Sequence, residues 1–140
     1  MGDLKLKKPI QIKLNQRTVT RVVRHLAEQG WKQSVDRDKD TCVYYDDTTG
    51  MRCAVGWAMS EKSAKFVART STFAWVGSLV CSHVIECDKP DALRELQDVH
   101  DRNERPREMR KYVKQWCERW GFEFKEPLKA CGGVRESPDE

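Results

Sequence analysis

Six cysteines and three histidines carry most of the reactive chemistry in this 140-residue chain. Thiolates and imidazoles hold zinc when four of them converge, and structural zinc sites draw their ligands from close pairs of the Cys-x2–4-Cys kind. No Cys-x2-Cys occurs here. Cys42 and Cys53 are separated by ten residues, and the stretch CSHVIEC supplies Cys81 and His83. A strand would set Cys81 and His83 on one face, whereas a helix would splay them. Cys42, Cys53, Cys81 and His83 are the first ligands to test for a metal. The spacing argues instead for Cys42, Cys53 and Cys81 as small buried thiols, and neither a metal nor another cofactor is expected. A cysteine nucleophile needs a neighbouring base and a lowered pKa. Nothing in the order of residues sets His25, His83 or His100 beside a thiol. Asp36, Asp38 and Asp40 copy the acidic opening of a calcium loop, but Thr41 and Asp47 stand where that loop needs Gly and Glu. The chain is expected not to be an enzyme.

Binding chemistry is better represented. Charged residues make up 34% of the chain, enough for a highly charged surface over a compact core, and five tryptophans are candidate core anchors. The net charge is +4, but it is uneven: residues 1–35 carry eight basic against two acidic side chains. Lys5, Lys7 and Lys8 lie in a basic N-terminal arm (1–14). Arg17, Arg21 and Arg24 follow at helical spacing, which predicts one exposed stripe. These six are the candidate contacts to nucleic acid or to an acidic partner. No helix-turn-helix, RNP or finger signature supplies a base reader.

The elements that must hold these residues can be read in order. PIQIKL alternates and predicts a short strand. NQRTVTRVVRHLAEQG predicts a helix, with Asn15 as N-cap, an apolar line of Val19, Val22, Val23 and Leu26, and Gly30 as its stop. In CVYYDDTTGMRCAVG, two β-prone runs flank a polar turn. That predicts an antiparallel hairpin, with Gly50 at the turn, Cys42 and Cys53 on facing strands, and Ala54 and Gly56 leaving room for close approach. SEKSAKFVART predicts a short helix. STFAWVGSLVCSHVIEC predicts a buried helix from about 72 to 85, with a pair of strands broken at Gly77 as the alternative. Two further helices follow. The first has Pro90 in its first turn and an apolar line of Leu93, Leu96 and Val99. The second buries Met109, Tyr112, Val113, Trp116 and Trp120 and closes at Gly121. Their short connection predicts an antiparallel helix pair. No apolar run is long enough to span a membrane, and no signal segment or myristoylation site is recognised at the N-terminus. A cytoplasmic chain is therefore expected.

The segments VTRVVRHLAEQG, CVYYDDTTGMRCAVGWAM and LRELQDVHD, spanning about residues 18 to 101, resemble a pattern in a family of small, uncharacterised tailed-phage and prophage proteins. That pattern has a helix ending His-Leu-x-x-Gln-Gly, a Cys-x-Tyr…Gly-x-x-Cys-Ala-Val-Gly hairpin and a late Leu-Gln-x-x-His-Asp. The chain departs from it after the hairpin, where AMSEKSAKF replaces the family's Ile-Pro-Asp…Tyr run. The resemblance implies a compact α+β module encoded by a phage, and no activity. It also implies a shared polar cluster of His25, Gln29, Gln97, His100 and Asp101. The expected architecture is α+β: about four helices on a small antiparallel β-hairpin or sheet, in a single domain over residues 1–124, with a flexible tail over 125–140. The expected function is that of a small interaction protein in the bacterial host cell, binding and modulating a host protein such as a defence or nucleic-acid-processing factor. The alternative is a nucleic-acid-binding accessory protein that uses the basic N-terminal third.

Overall fold

Strand β1 (Ile10–Ile12) points Ile10 and Ile12 into the core and Gln11 outward. The chain then turns into helix α1 (Gln16–Glu28), started by Asn15, whose Oδ1 accepts the Thr18 N–H at 3.0 Å. Such a cap satisfies one of the otherwise unbonded amides of the first turn. Val19, Val22, Val23 and Leu26 form the buried stripe. At the far end Gly30 takes φ +74°, and the Trp31 N–H returns to the Leu26 carbonyl at 2.7 Å. This Schellman closure needs a left-handed residue, which glycine adopts without strain. The computed structural model describes residues 8–36, 41–70 and 76–127.

The stretch CVYYDDTTGMRCAVG does not form the expected antiparallel hairpin. β3 (Thr41–Cys42) pairs antiparallel with β2 (Val35–Asp36), with Cys42 opposite Val35 rather than Cys53. Residues 46–51 form a tight loop closed by Asp46 N–H to Met51 O at 2.9 Å and Gly50 N–H to Asp46 O at 2.8 Å, with Gly50 at φ +77°. Of the expected second strand MRCAV, Met51–Cys53 adopt no regular structure and Ala54 and Val55 open helix α2 (Ala54–Ala58), capped by Cys53, whose Sγ accepts the Gly56 N–H at 3.3 Å. Small residues decide this. A Cβ on Gly56 would lie 2.2 Å from the Tyr44 carbonyl oxygen, so only a glycine lets α2 sit that close to the preceding segment.

Helix α3 (Glu61–Thr70) is capped by Ser60, whose Oγ accepts the Ser63 N–H at 3.1 Å. Helix α4 (Val76–Cys81) is shorter than the expected 72–85 helix; positions 72–75 of that span lie outside the described residues. It stops because His83 turns left-handed, at φ 64°, while the His83 and Val84 N–H groups bond back to Val80 and Leu79. This is the same closure that ends α1, with histidine in the glycine's place. The chain then extends into β4 (Ile85–Cys87), which pairs with β1 in parallel, Ile10 opposite Ile85. The two-stranded sheet inside the core is thus parallel and joins distant segments.

Helices α5 (Pro90–Arg102) and α6 (Pro106–Trp120) are antiparallel, as expected. The start of α5 meets the end of α6: Trp116 Nε1 donates to Ala92 O at 2.9 Å, and Trp120 Nε1 to Glu95 at 3.1 Å. Met109, Val113, Trp116 and Cys117 are buried on α6, whereas Tyr112 is exposed and Trp120 half-buried. The described residues thus contain six helices, two more than expected, and the α+β class holds. The segment after α6 packs back onto α1 and α6. Gln16 bonds both the N–H and the C=O of Glu123 (2.8 and 2.9 Å), Phe124 stacks on Trp31, and Glu126 takes both Arg110 and Trp31 Nε1. Positions 128–140 of the expected tail lie outside the described residues.

Candidate functional site

Among the described residues the reactive side chains do not converge; Cys131 and the side chain of Cys42 lie outside them. Cys53 is fully buried. Burial pushes its thiol pKa up to about 12, so the thiol stays protonated and unreactive. Cys117 is likewise buried and raised to about 11. Cys81, expected to be buried, is instead the exposed last residue of α4, because the short helix ends at the surface, and His83 is exposed in the turn that follows. Among the described residues, no group of three or more His, Cys, Asp or Glu is placed to hold a metal ion. Of the calcium-like run, Asp38 and Asp40 lie outside the described residues. A maleimide added to the folded protein should modify Cys81 promptly and leave Cys53 and Cys117 untouched until denaturant is added. Peptide mass mapping reads this directly, and fast labelling of Cys53 in the native state would contradict its burial.

The residues of the expected polar cluster form two separate clamps on one segment, Met51 to Trp57. On one side Gln29 accepts the Arg52 N–H at 3.3 Å and the Trp57 Nε1–H at 3.0 Å, and donates to the Arg52 carbonyl at 2.9 Å. On the other side Gln97 accepts the Val55 N–H at 3.2 Å and donates to Asp101 at 2.9 Å. His100, fully buried, sits between Asp101 (Nδ1, 2.9 Å) and the Ser34 N–H (Nε2, 3.3 Å). A backbone N–H can only donate, so Nε2 accepts and the proton resides on Nδ1, donated to Asp101. A His–Asp pair works as a catalytic base through a free Nε2. Here a backbone amide occupies that nitrogen, and the pair anchors the 32–34 loop.

His25, the fifth member, faces outward into a different constellation. Its ring stacks on Trp57, with centroids 4.1 Å apart and planes inclined by 7°. Burial lowers its pKa, with Glu28 opposing and Arg24 and Arg52 reinforcing. The Arg52 guanidinium lies 4.2 Å from the Trp57 ring centroid and 5.4 Å from that of Tyr45. Lys65 lies 5.3 Å from the Tyr45 ring and pairs with Glu61 at 3.1 Å. Cations on ring faces are worth roughly 0.5–2 kcal/mol each, more where water is excluded. Arg52 Nε is buried with no hydrogen-bond partner among the described residues. An open groove of about 520 Å³ adjoins this face, lined in part by His25, Glu28, Gln29, Lys32, Met51 and Trp57.

The arginine stripe of α1 is not one exposed row. Arg21 is half-buried and donates to the carbonyls of Trp57 (3.2 Å) and Ala58 (2.9 Å), capping the C-terminal end of α2. Arg17 and Arg24 stay exposed, and Arg24 donates to His25 at 3.2 Å. Lys8 is exposed, while Lys5 and Lys7 lie outside the described residues. Sequence reasoning missed Tyr45, Arg52, Trp57 and Lys65 as one face. Tyr45 and Arg52 were visible in the cysteine-bracketed stretch and Trp57 just after it, but no local pattern joins them to Lys65. Compared with models of protein families, with curated proteins and with solved structures, the chain matches none.

Proposed function

We propose that this chain is a small interaction protein, without catalytic activity of its own, that binds and modulates another protein through the face shared by α1, α2 and α3. The resemblance to phage proteins makes a host protein the expected partner. The observation that carries this reading is Arg52, held against the rings of Trp57 and Tyr45 with Lys65 beside it. Arg, Trp and Tyr are the residues that dominate protein interfaces, because each combines large contact area with a directional polar group. The face carries Arg24, Arg52 and Lys65, so it suits an acidic surface. Glu28 and Glu61 stand among these cations. That mixture disfavours a uniform polyanion and favours a protein surface of mixed charge.

Tagged full-length protein should retain a bacterial protein at near-stoichiometric level after nuclease treatment. The double reversal Arg24→Glu with Lys65→Glu should weaken that capture by about tenfold or more while leaving the melting temperature within a few degrees. Retention equal to wild type would remove this face from the interface. Retention that disappears with nuclease alone would replace the reading with nucleic-acid binding.

A further inference from the structure

We infer that Arg52 is the receptor for a carboxylate, supplied by an aspartate or glutamate side chain of the bound protein and held side-on by the Nε–Nη2 edge of the guanidinium. The inference rests on the reading of the α1, α2 and α3 face as a protein-binding surface, and it names the group that face recognises.

Two other arginines show how this edge is used elsewhere in the fold. Arg110 sets Nε and Nη2 on the Glu126 carboxylate, at 2.7–3.0 Å. Arg21 sets the same two nitrogens on the Trp57 and Ala58 carbonyls, at 3.2 and 2.9 Å. Arg52 does neither. It is half-buried, and only its Nη1 is engaged, through long contacts of 3.5 and 3.4 Å to the Gly56 and Met59 carbonyls. Its Nε is the one buried side-chain nitrogen or oxygen without a hydrogen-bond partner among the described residues. A guanidinium has five N–H donors and no lone pair. An edge that has lost water and gained no acceptor is therefore a cost that the protein carries alone. Burial accordingly pulls the Arg52 pKa below its ordinary value, with Glu61 and Tyr45 opposing and Arg21 reinforcing.

Neighbouring groups do not fill the edge. The Trp57 and Tyr45 rings, 4.2 and 5.4 Å from the guanidinium carbon, offset part of its charge but offer no oxygen lone pair. Glu61 accepts from Lys65 at 3.1 Å and from the Tyr45 hydroxyl at 3.4 Å, and forms no ion pair with Arg52. The charges also select the ligand. Lys65 and Glu61 cancel, and Arg21 is spent on the carbonyl end of α2. One unmatched positive charge is left at Arg52. A carboxylate brings one negative charge and two oxygens that suit the fork of Nε and Nη2. A phosphate group brings nearly twice that charge beside Glu61. The rings against Arg52 keep water from the pair and so strengthen it.

The test follows the arginine Nε–H and tryptophan indole N–H signals of the isotope-labelled full chain by NMR. N-acetyl-glutamate N-methylamide is the probe, N-acetyl-glutamine N-methylamide its neutral control, and inorganic phosphate the competing anion. The Arg52 Nε–H and Trp57 indole signals should move together and saturate in the millimolar range of a single ion pair. The glutamine compound should bind at least about tenfold more weakly. The Arg110 Nε–H, already on Glu126, should stay in place. Arg52→Lys keeps the charge and removes the edge, so it should abolish the Trp57 response. The Arg52 signal is read in the wild-type chain, so the test does not depend on how well that variant folds. Four results would each overturn the proposal: no saturable movement of Arg52, equal binding of the two compounds, tighter binding of phosphate, or an undiminished Trp57 response in Arg52→Lys. Capture from lysate separates this site from the reading it rests on. A bacterial protein retained equally by wild type and by Arg52→Lys removes the carboxylate site and keeps the face. A saturating Arg52 response with no protein retained removes the host partner and keeps the site.

Discussion

Replacing Gly56 with alanine should destabilise the protein by about 3 kcal/mol or more, although alanine is ordinarily the better helix residue. Gly56 lies inside α2, and its would-be Cβ falls 2.2 Å from the Tyr44 carbonyl oxygen and 3.0 Å from the Arg52 Cβ. The first neighbour is backbone and cannot rotate away, so α2 must shift. A shift strains the Gln29 bonds to Arg52 and Trp57, the Gln97 bond to Val55 and the Arg21 cap on Trp57 and Ala58 together. The melting temperature should fall by about 10 °C or more. Gly77→Ala is the matched control. It too is helical, but its Cβ would meet the Arg94 Cδ at 3.3 Å, and Arg94 is an exposed side chain that can swing aside. That change should be neutral or stabilising by up to about 1 kcal/mol. Thermal melts of the two variants read the contrast, and a Gly56→Ala protein as stable as wild type would refute the close approach of α2.

His100→Ala should cost about 3–4 kcal/mol, because it combines two losses. It opens a cavity at a fully buried site, and it leaves the Ser34 N–H without an acceptor in the interior. Denaturant titration would measure the loss as a lower midpoint with an unchanged slope. Asp101→Asn should cost far less, since an amide oxygen still accepts from His100 Nδ1 and Gln97 Nε2, and the side chain is 39% exposed. The nitrogen chemical shifts of His100 should show the tautomer protonated at Nδ1. An Nε2-protonated ring would contradict the Ser34 contact and reopen the His–Asp pair as a base.

Four helices, α1, α3, α5 and α6, were legible in the sequence because their information is local. The Asn15 cap, the Val19–Leu26 stripe and the Gly30 stop of α1 lie within sixteen residues of one another, and α5 and α6 carry their own proline starts and apolar lines. The segment from Cys42 to Gly56 was legible only in part: the positive φ of Gly50 at the turn and the close approach at Gly56 hold, but the pairing does not. Its β-prone residues promised a second strand, but the end of that stretch opens a helix whose place is fixed by Gln29, 23 residues away from Arg52, and by Gln97, 42 residues away from Val55. The early end of α4 has a similar cause, since no glycine announces the left-handed turn that His83 makes. Arg21 was legible as a cation and not as a helix cap, because its acceptors on Trp57 and Ala58 are 36 and 37 residues distant.

The sequence by itself determined the broad α+β class of the fold, four of the helices, the Asn15 cap of α1 and the high charge of the chain. Tertiary structure alone decided that β1 pairs with β4 in parallel across 75 residues, that no metal-holding group of Cys, His, Asp and Glu forms among the described residues, and that Arg52, Trp57, Tyr45 and Lys65 share a face. The physical reason is range. Helical periodicity and capping act over a few residues, whereas a parallel strand pair, a backbone clamp or a cation set against a ring joins groups that come together only after the core has packed.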